Sequence, residues 1–311
     1  MRRIALGLAF LLATAPGCVP ASTPTTVDQE HSYAAADGKL VRLDLRSLDV
    51  HVRVVDTGDI KVRVHLQARA SSARAASRWV ERNTPVIEDS PTALEVRTAD
   101  RHATVVLFGF ISTDGRVDVE MPRSCRLEIG TSSGDVQLAG PARLTEPARI
   151  HTSSGDVRID GGAASANVRT SSGDVRVEGE RLTLLDVETT SGDVRLGAGA
   201  AKVVADTTSG DLRLLELNGG VSADTTSGDV WATWQDLPSG AALHISTSSG
   251  DVVLRLPTQT SLSGELRTSS GEIRSRVDGS WDDRHHRLTL TGSGPALDVR
   301  TSSGDITIAA R

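Results

Sequence analysis

Aromatic side chains are nearly missing from this chain: one Tyr, three Phe and four Trp, 3% of 311 residues. A thick globular core has little to fill it. With 38% hydrophobic residues, the core must be built from Val, Leu, Ile, Ala and Thr, and it will be thin and regular. Cysteine is scarce too, with only Cys18 and Cys125. Charge of one sign is missing: the net charge is −6 with both signs mixed along the chain, so no basic tract points to nucleic acid. Beyond the N-terminus no run approaches the ~20 apolar residues of a membrane helix.

The N-terminus differs from the rest. Arg2 and Arg3 precede the apolar run IALGLAFLLATA, and Ala15-Pro16-Gly17-Cys18 follows. A charged head, a short hydrophobic region and a small-residue cleavage site make residues 1–18 a secretory signal. Its end resembles a bacterial lipobox, in which the Cys thiol is acylated and the Cys becomes the mature N-terminus. Gly17 fits that pattern; Ala15 and Pro16 depart from it. Export with a lipid on Cys18 is therefore expected, placing the chain in the cell envelope, in an outer membrane if the cell has one. Acylation would leave Cys125 without a disulfide partner, and packing alone would hold the fold.

Residues 19–35 are polar, with Pro and Thr, and read as a flexible tether. Residues 36–129 form a strand-rich N-terminal part. Apolar residues alternate from Leu40 to Ala70, interrupted by Asp56-Thr57-Gly58-Asp59, which gives two or three strands. SSARAASRWVERN (71–83) predicts a short helix capped by Ser71 or Ser72 with Trp79 on its apolar side. Further strands are expected around 93–98, 103–112 and 116–122.

From residue 130 to 311 one corner is written nine times: Thr, Ser or Thr, Ser, Gly, Asp or Glu, then Val, Ile or Leu. The Gly-acid pairs are Gly134-Asp135, Gly155-Asp156, Gly173-Asp174, Gly192-Asp193, Gly210-Asp211, Gly228-Asp229, Gly250-Asp251, Gly271-Glu272 and Gly304-Asp305. Successive glycines lie 21, 18, 19, 18, 18, 22, 21 and 33 residues apart. Before each corner the apolar positions share one parity, and after it they share another, so each flanking strand has one buried face and one wet face. Glycine at the corner is expected to supply a positive φ, and Ser and Asp to bond the turn's own amides.

Two short strands and two short turns account for roughly 20 residues per repeat. The leucine-rich frame is absent, a propeller blade needs about 40 residues, and a flat meander leaves an apolar face uncovered. The reading is all-β: a β-solenoid of about nine or more coils of roughly 18–22 residues, with the short helix near its N-terminal end. A residue that works at one corner then works at every corner, because each stacks on its counterpart one coil away. Arg158, Arg176, Arg195, Arg213 and Arg274 recur three residues past the glycine and balance the stacked carboxylates.

These corners, with the segment Val119-Glu120-Met121-Pro122 before them, resemble the bacterial "putative adhesin" domains of unknown function. The resemblance covers residues 36–311. It implies a β-solenoid of the cell envelope, often lipid-anchored, and no catalytic residues.

Chemistry is sought and little is found. The acidic residues are spread one per corner rather than clustered as in a polysaccharide-cleaving solenoid, and the double-glycine frame of calcium-binding β-rolls is missing. No catalytic residue, metal ligand or cofactor is assigned. His285 and His286 fall in an expected exposed loop, and Cys125 reads as a small, partly buried residue. Trp231 stands where Arg is usual, with Trp234 and Arg213 nearby; the three form a candidate ligand-binding patch for a sugar ring or partner protein. The sequence thus reads as a non-catalytic envelope lipoprotein, an adhesin or scaffold for glycan or protein. The alternatives are a regulatory partner in envelope-stress or membrane signalling and, least favoured, a polysaccharide-active enzyme. Oligomeric state is not legible.

Overall fold

The structure, a computed structural model, describes residues 24–70, 72–98, 111–258 and 260–311. The signal segment, Cys18, Ser71 and most of the strand expected at 103–112 lie outside the described residues. The strands form two long sheets, one of 13 strands and one of 14. In every repeat the strand before the corner enters the 14-stranded sheet, here called leading, and the strand after it enters the 13-stranded, trailing sheet. The chain is a β-solenoid.

Its register follows from the columns. Val175 lies beside Val157 on one side and Val194 on the other, with Arg176 between Arg158 and Arg195. In the coil of Gly192 the inward residues are Val187, Thr189, Val194 and Leu196, all 4% exposed or less. Small branched side chains suit this geometry, because two sheets facing each other at about 10 Å leave room for interdigitated Val, Leu and Ile and little room for rings. Each such side chain contributes roughly 1.5–3 kcal/mol when fully buried.

Stacking order departs from chain order at both ends. The chain's last coil, Ala296–Thr301 and Ile306–Ala310, sits between the coils of Gly250 and Gly271. The chain skips one place to build the Gly271 coil, turns through the antiparallel strands Ser280–Trp281 and Arg287–Thr291, and comes back to fill the gap. That detour is the 33-residue spacing in the repeat. At the other end the coil of Leu40–Leu45 and Asp49–Val55 lies between strands Ala93–Thr98 and Ile111–Pro122 on one side and the Gly134 coil on the other. Both sheets at the N-terminal end, and the leading sheet at the far end, finish in antiparallel pairs, while the far edge of the trailing sheet is the three-residue parallel strand Ile273–Ser275. Short or charged edge strands of this kind resist edge-to-edge association.

The helix is Ala73–Asn83. The Ser72 hydroxyl accepts from the Ala75 amide, and Ala76 and Val80 are buried, with Trp79 packed on the core. Two expectations change. Residues 25–33 of the expected tether are a strand, Thr25–Tyr33, paired antiparallel with Ile60–Ala70 along its whole length. Its polar outer residues suit an edge, with Asp28 held by His65 and Glu30 by Arg63.

The corner glycines also do something other than expected. Among the described glycines, positive φ belongs to Gly38, Gly58, Gly140, Gly161, Gly162, Gly179, Gly199 and Gly264, and to none of the repeat corners. A Cβ at Gly192 would lie 2.0 Å from the carbonyl oxygen of Gly173, and one at Gly173 1.9 Å from that of Gly155. Glycine is required because each corner's backbone rests directly on the backbone below.

Candidate functional site

Three features of the outer surface compete as sites, and all grow from the column rule. The first is the corner itself. The inward Thr is buried, and at five corners its hydroxyl accepts from the corner Gly amide, as in Thr170 with Gly173 at 3.0 Å. Thr225, Thr247 and Thr301 donate to a carbonyl of the neighbouring coil, and Thr207 Oγ1 is buried without a partner among the described residues. The Asp does not bond its own turn. Each Asp amide donates to the Oδ1 of the Asp one coil earlier: Asp156 to Asp135, Asp174 to Asp156, Asp193 to Asp174, Asp211 to Asp193, Asp229 to Asp211, Asp251 to Asp229 and Asp305 to Asp251, at 2.8–3.0 Å. Glu272 ends the row by donating its amide to Asp305, and Asp49 begins it by accepting from Asp135. Asp49 was hidden because its corner, Arg46-Ser47-Leu48-Asp49, lacks the repeat motif. Charge-assisted bonds of this kind offset the repulsion between stacked carboxylates. The corner row is structural.

The second feature is the arginine row of the trailing sheet. Arg158, Arg176, Arg195 and Arg213 lie in register, and Trp231 continues their column. Arg158 reaches Asp160 at 2.5 Å and, across one coil, Glu178 at 3.1 Å; Arg213 is 3.8 Å from Asp211. Trp231 is 40% exposed, with the Arg255 guanidinium 5.2 Å from its ring centroid, a cation–π contact. Trp234 does not belong to this patch. It is fully buried and donates its indole N–H to the Gly219 carbonyl at 2.9 Å. Residues three apart on a strand face opposite sides, so the expected pairing of the two indoles on one surface is wrong.

The third feature is a trough of about 790 Å³ on the outer face of the trailing sheet near its N-terminal end. Its lining includes His51, Arg53, Lys61, Arg63, Arg116, Asp118, Glu120, Gln137 and Asp160. It opens where Ala139-Gly140-Pro141 interrupts the column of large outward side chains. Gly140 has φ +149°, and its Cβ would meet the Val54 carbonyl oxygen at 2.1 Å, so a side chain could be accommodated there only by parting the strands. The carboxylates of the trough are engaged: Glu120 with Lys61 at 3.0 Å, Asp118 with Arg116 at 3.1 Å, Asp160 with Arg158. The hydrogen bond from Lys61, and the charges of Lys61, Arg53 and Arg63, hold the Glu120 carboxyl below its usual range. The sequence signal for this trough, a loss of alternation at 139–141, is visible only once the neighbouring strands are known.

The leading sheet carries a local acidic cluster. Asp206 stands beside Asp224 and Glu188, and its carboxyl is raised above the ordinary value by desolvation, then by the charges of Asp224, Asp186 and Glu188. A raised carboxyl favours the folded state only while protonated, so its contribution is present in acid and lost as pH rises through the raised value. Asp206→Asn is therefore more stable than the parent near pH 7, and the difference vanishes near pH 3; urea midpoints at both pH values measure it. Elsewhere, burial raises the Cys125 thiol, which lies 3.7 Å from the Ala36 carbonyl oxygen. His285 is exposed and His286 half-buried in the turn after Trp281, where the Asp282 carboxylate accepts the His286 amide. No helix among the described residues is long and apolar enough to cross a membrane.

Several solved structures resemble the chain at low similarity. A "putative adhesin" from Bacteroides fragilis NCTC 9343 has 10% identity and a TM-score of 0.44, with 92% of this chain and 97% of that one covered. A "putative lipid binding protein" from Parabacteroides distasonis ATCC 8503 has 11% identity and a TM-score of 0.48, covering 92% and 96%. A "putative adhesin" from Parabacteroides merdae ATCC 43184 has 10% identity and a TM-score of 0.45, covering 91% and 96%. No curated protein matches the chain. The family model described as Toastrack DUF4097 matches residues 40–239 and 197–309, which between them take in every corner of the stack, and the chain belongs to that family.

Proposed function

We propose that this protein is a non-catalytic module of the cell envelope, exported, held to a membrane by a lipid on Cys18, and presenting its solenoid to glycan or protein as an adhesin or scaffold. The observation that carries this reading is where the chain enters the stack. Strand Thr25–Tyr33 is the outermost strand of the trailing sheet, so the first described strand lies at one end of the stack, away from the arginine row and Trp231. A rod attached by its end exposes its sides. The lining of those sides, with interleaved Arg, Asp, Gln and an exposed indole, offers donors, acceptors and an apolar ring, the combination that binds polar polymers without chemistry.

Protease shaving of intact cells carrying a C-terminally tagged chain, beside Cys18→Ala, tests this. The expected result is a membrane-bound wild type cleaved from outside and a released, soluble Cys18→Ala. A Cys18→Ala chain that stays in the membrane removes the lipid anchor from the account. A membrane-bound wild type that is protected faces inward, which ends the adhesin reading.

A further inference from the structure

The trough at the N-terminal end of the trailing sheet has features that the rest of the surface lacks. In a chain of net charge −6, it is lined by four Arg or Lys side chains and a histidine against three carboxylates. Lys61 and Arg116 pair within the trough, and Arg63 pairs with Glu30 of the edge strand. Arg53 is the cation that remains: it lines the trough and makes no ion pair among the described residues. The field of Glu120 reaches it, but that carboxylate is bonded to Lys61. A guanidinium left in this way, beside His51 and Gln137, is an open fork for a planar or tetrahedral oxyanion.

The shape narrows the ligand. The trough crosses five neighbouring strands, from Ile60–Ala70 to Val157–Ala163, and at about 4.8 Å per strand it runs for about 19 Å. That length suits a chain of several units better than a single small anion. Its floor at Ala139-Gly140-Pro141 is shallow and small, and its rim alternates donors with acceptors, which suits hydroxyl-rich rings lying flat. No Phe, Tyr or Trp side chain lines it, so the affinity must come mainly from charge and hydrogen bonding and must weaken with salt.

We propose that this trough binds a linear acidic glycan, with the Arg53 guanidinium holding the sugar's carboxylate or phosphate and His51, Gln137 and Asp160 meeting its hydroxyls. The proposal rests on the envelope-display reading, and deepens it by naming the class of ligand and the place where it lies.

The test is calorimetric titration of the detergent-solubilised full chain with an oligogalacturonate, a phosphorylated dextran and unmodified dextran, at low and high salt. One or both acidic polymers are expected to bind, about tenfold more weakly or worse in Arg53→Ala, with partial recovery in Arg53→Lys and weaker binding at high salt. Arg287→Ala, at the far end of the stack where Arg287 pairs with Glu265, leaves binding unchanged. Which acidic polymer binds assigns the oxyanion to a uronate or to a phosphate. Binding of unmodified dextran as tight as that of the acidic polymers, acidic binding that ignores Arg53, or no acidic binding at all overturns the proposal. These outcomes leave the shaving result untouched, so the two readings fail separately.

Discussion

Gly192→Ala is expected to lower stability by about 3 kcal/mol or more, the upper end of what overpacking costs. The new Cβ would sit 2.0 Å from the Gly173 carbonyl oxygen and 2.7 Å from its carbon. Neither atom belongs to a flexible side chain, so relief requires opening the distance between two coils. In a solenoid each coil is stabilised by its neighbours alone, and a wedge in the middle weakens the coupling of everything on either side. Urea unfolding of the variant should therefore broaden or separate into two steps. The control is Gly240→Ala: Gly240 has nothing within 4 Å of its ideal Cβ, and this change stays within about 0.5 kcal/mol. Equal midpoints for the two variants would mean that the corners are not in backbone contact.

The second large effect separates the two tryptophans. Trp234→Ala should cost about 3–5 kcal/mol, the range for removing a buried large side chain. It deletes the largest of the fully buried side chains and strips the Gly219 carbonyl of its indole donor. Trp231→Ala should cost well under about 1 kcal/mol, since the ring is 40% exposed and its cation–π partner is the Arg255 guanidinium. Denaturation midpoints of the two variants, measured side by side, give the comparison. A larger loss from Trp231 would place the two indoles on the opposite faces from those described.

Much of this fold was legible because repetition displays it. Thr before the corner and Val after it recur at fixed offsets, so the inward faces of Thr189 and Val194 could be assigned from parity alone. The same parity, applied to Trp231 and Trp234, would have put them on opposite faces; proximity in sequence was the wrong guide. At the corner glycine the expected positive φ is absent. A single sequence shows that glycine is required, but a steric clash with the coil below and a positive φ at the turn leave the same mark. Stacking order was out of reach, because identical corners stack equally well in any order. Nothing in Gly271 or Gly304 says which lies nearer Gly250; Arg287–Thr291 pairs antiparallel with one side of Ser263–Thr268 and leaves the other to Ala296–Thr301. The trough was hidden for a related reason. Arg53, Lys61 and Arg116 lie in three separate strands, and only the sheet brings them to one surface.

The corner row joins fold and surface, because one oxygen of each Asp carboxylate accepts the backbone amide of the next coil. Hydrogen exchange of the corner amides, resolved by NMR, tests this most directly. Asp193 is an exposed residue at a turn, yet its amide donates to Asp174 Oδ1 at 3.0 Å. It is predicted to exchange as slowly as the neighbouring strand amide of Val194, which donates to the Asp211 carbonyl. Asp174→Ala is predicted to release Asp193 and leave Val194 protected. Exchange of Asp193 at the rate of an unprotected loop, or an Asp174→Ala variant in which its protection is unchanged, would contradict the coil-to-coil ladder.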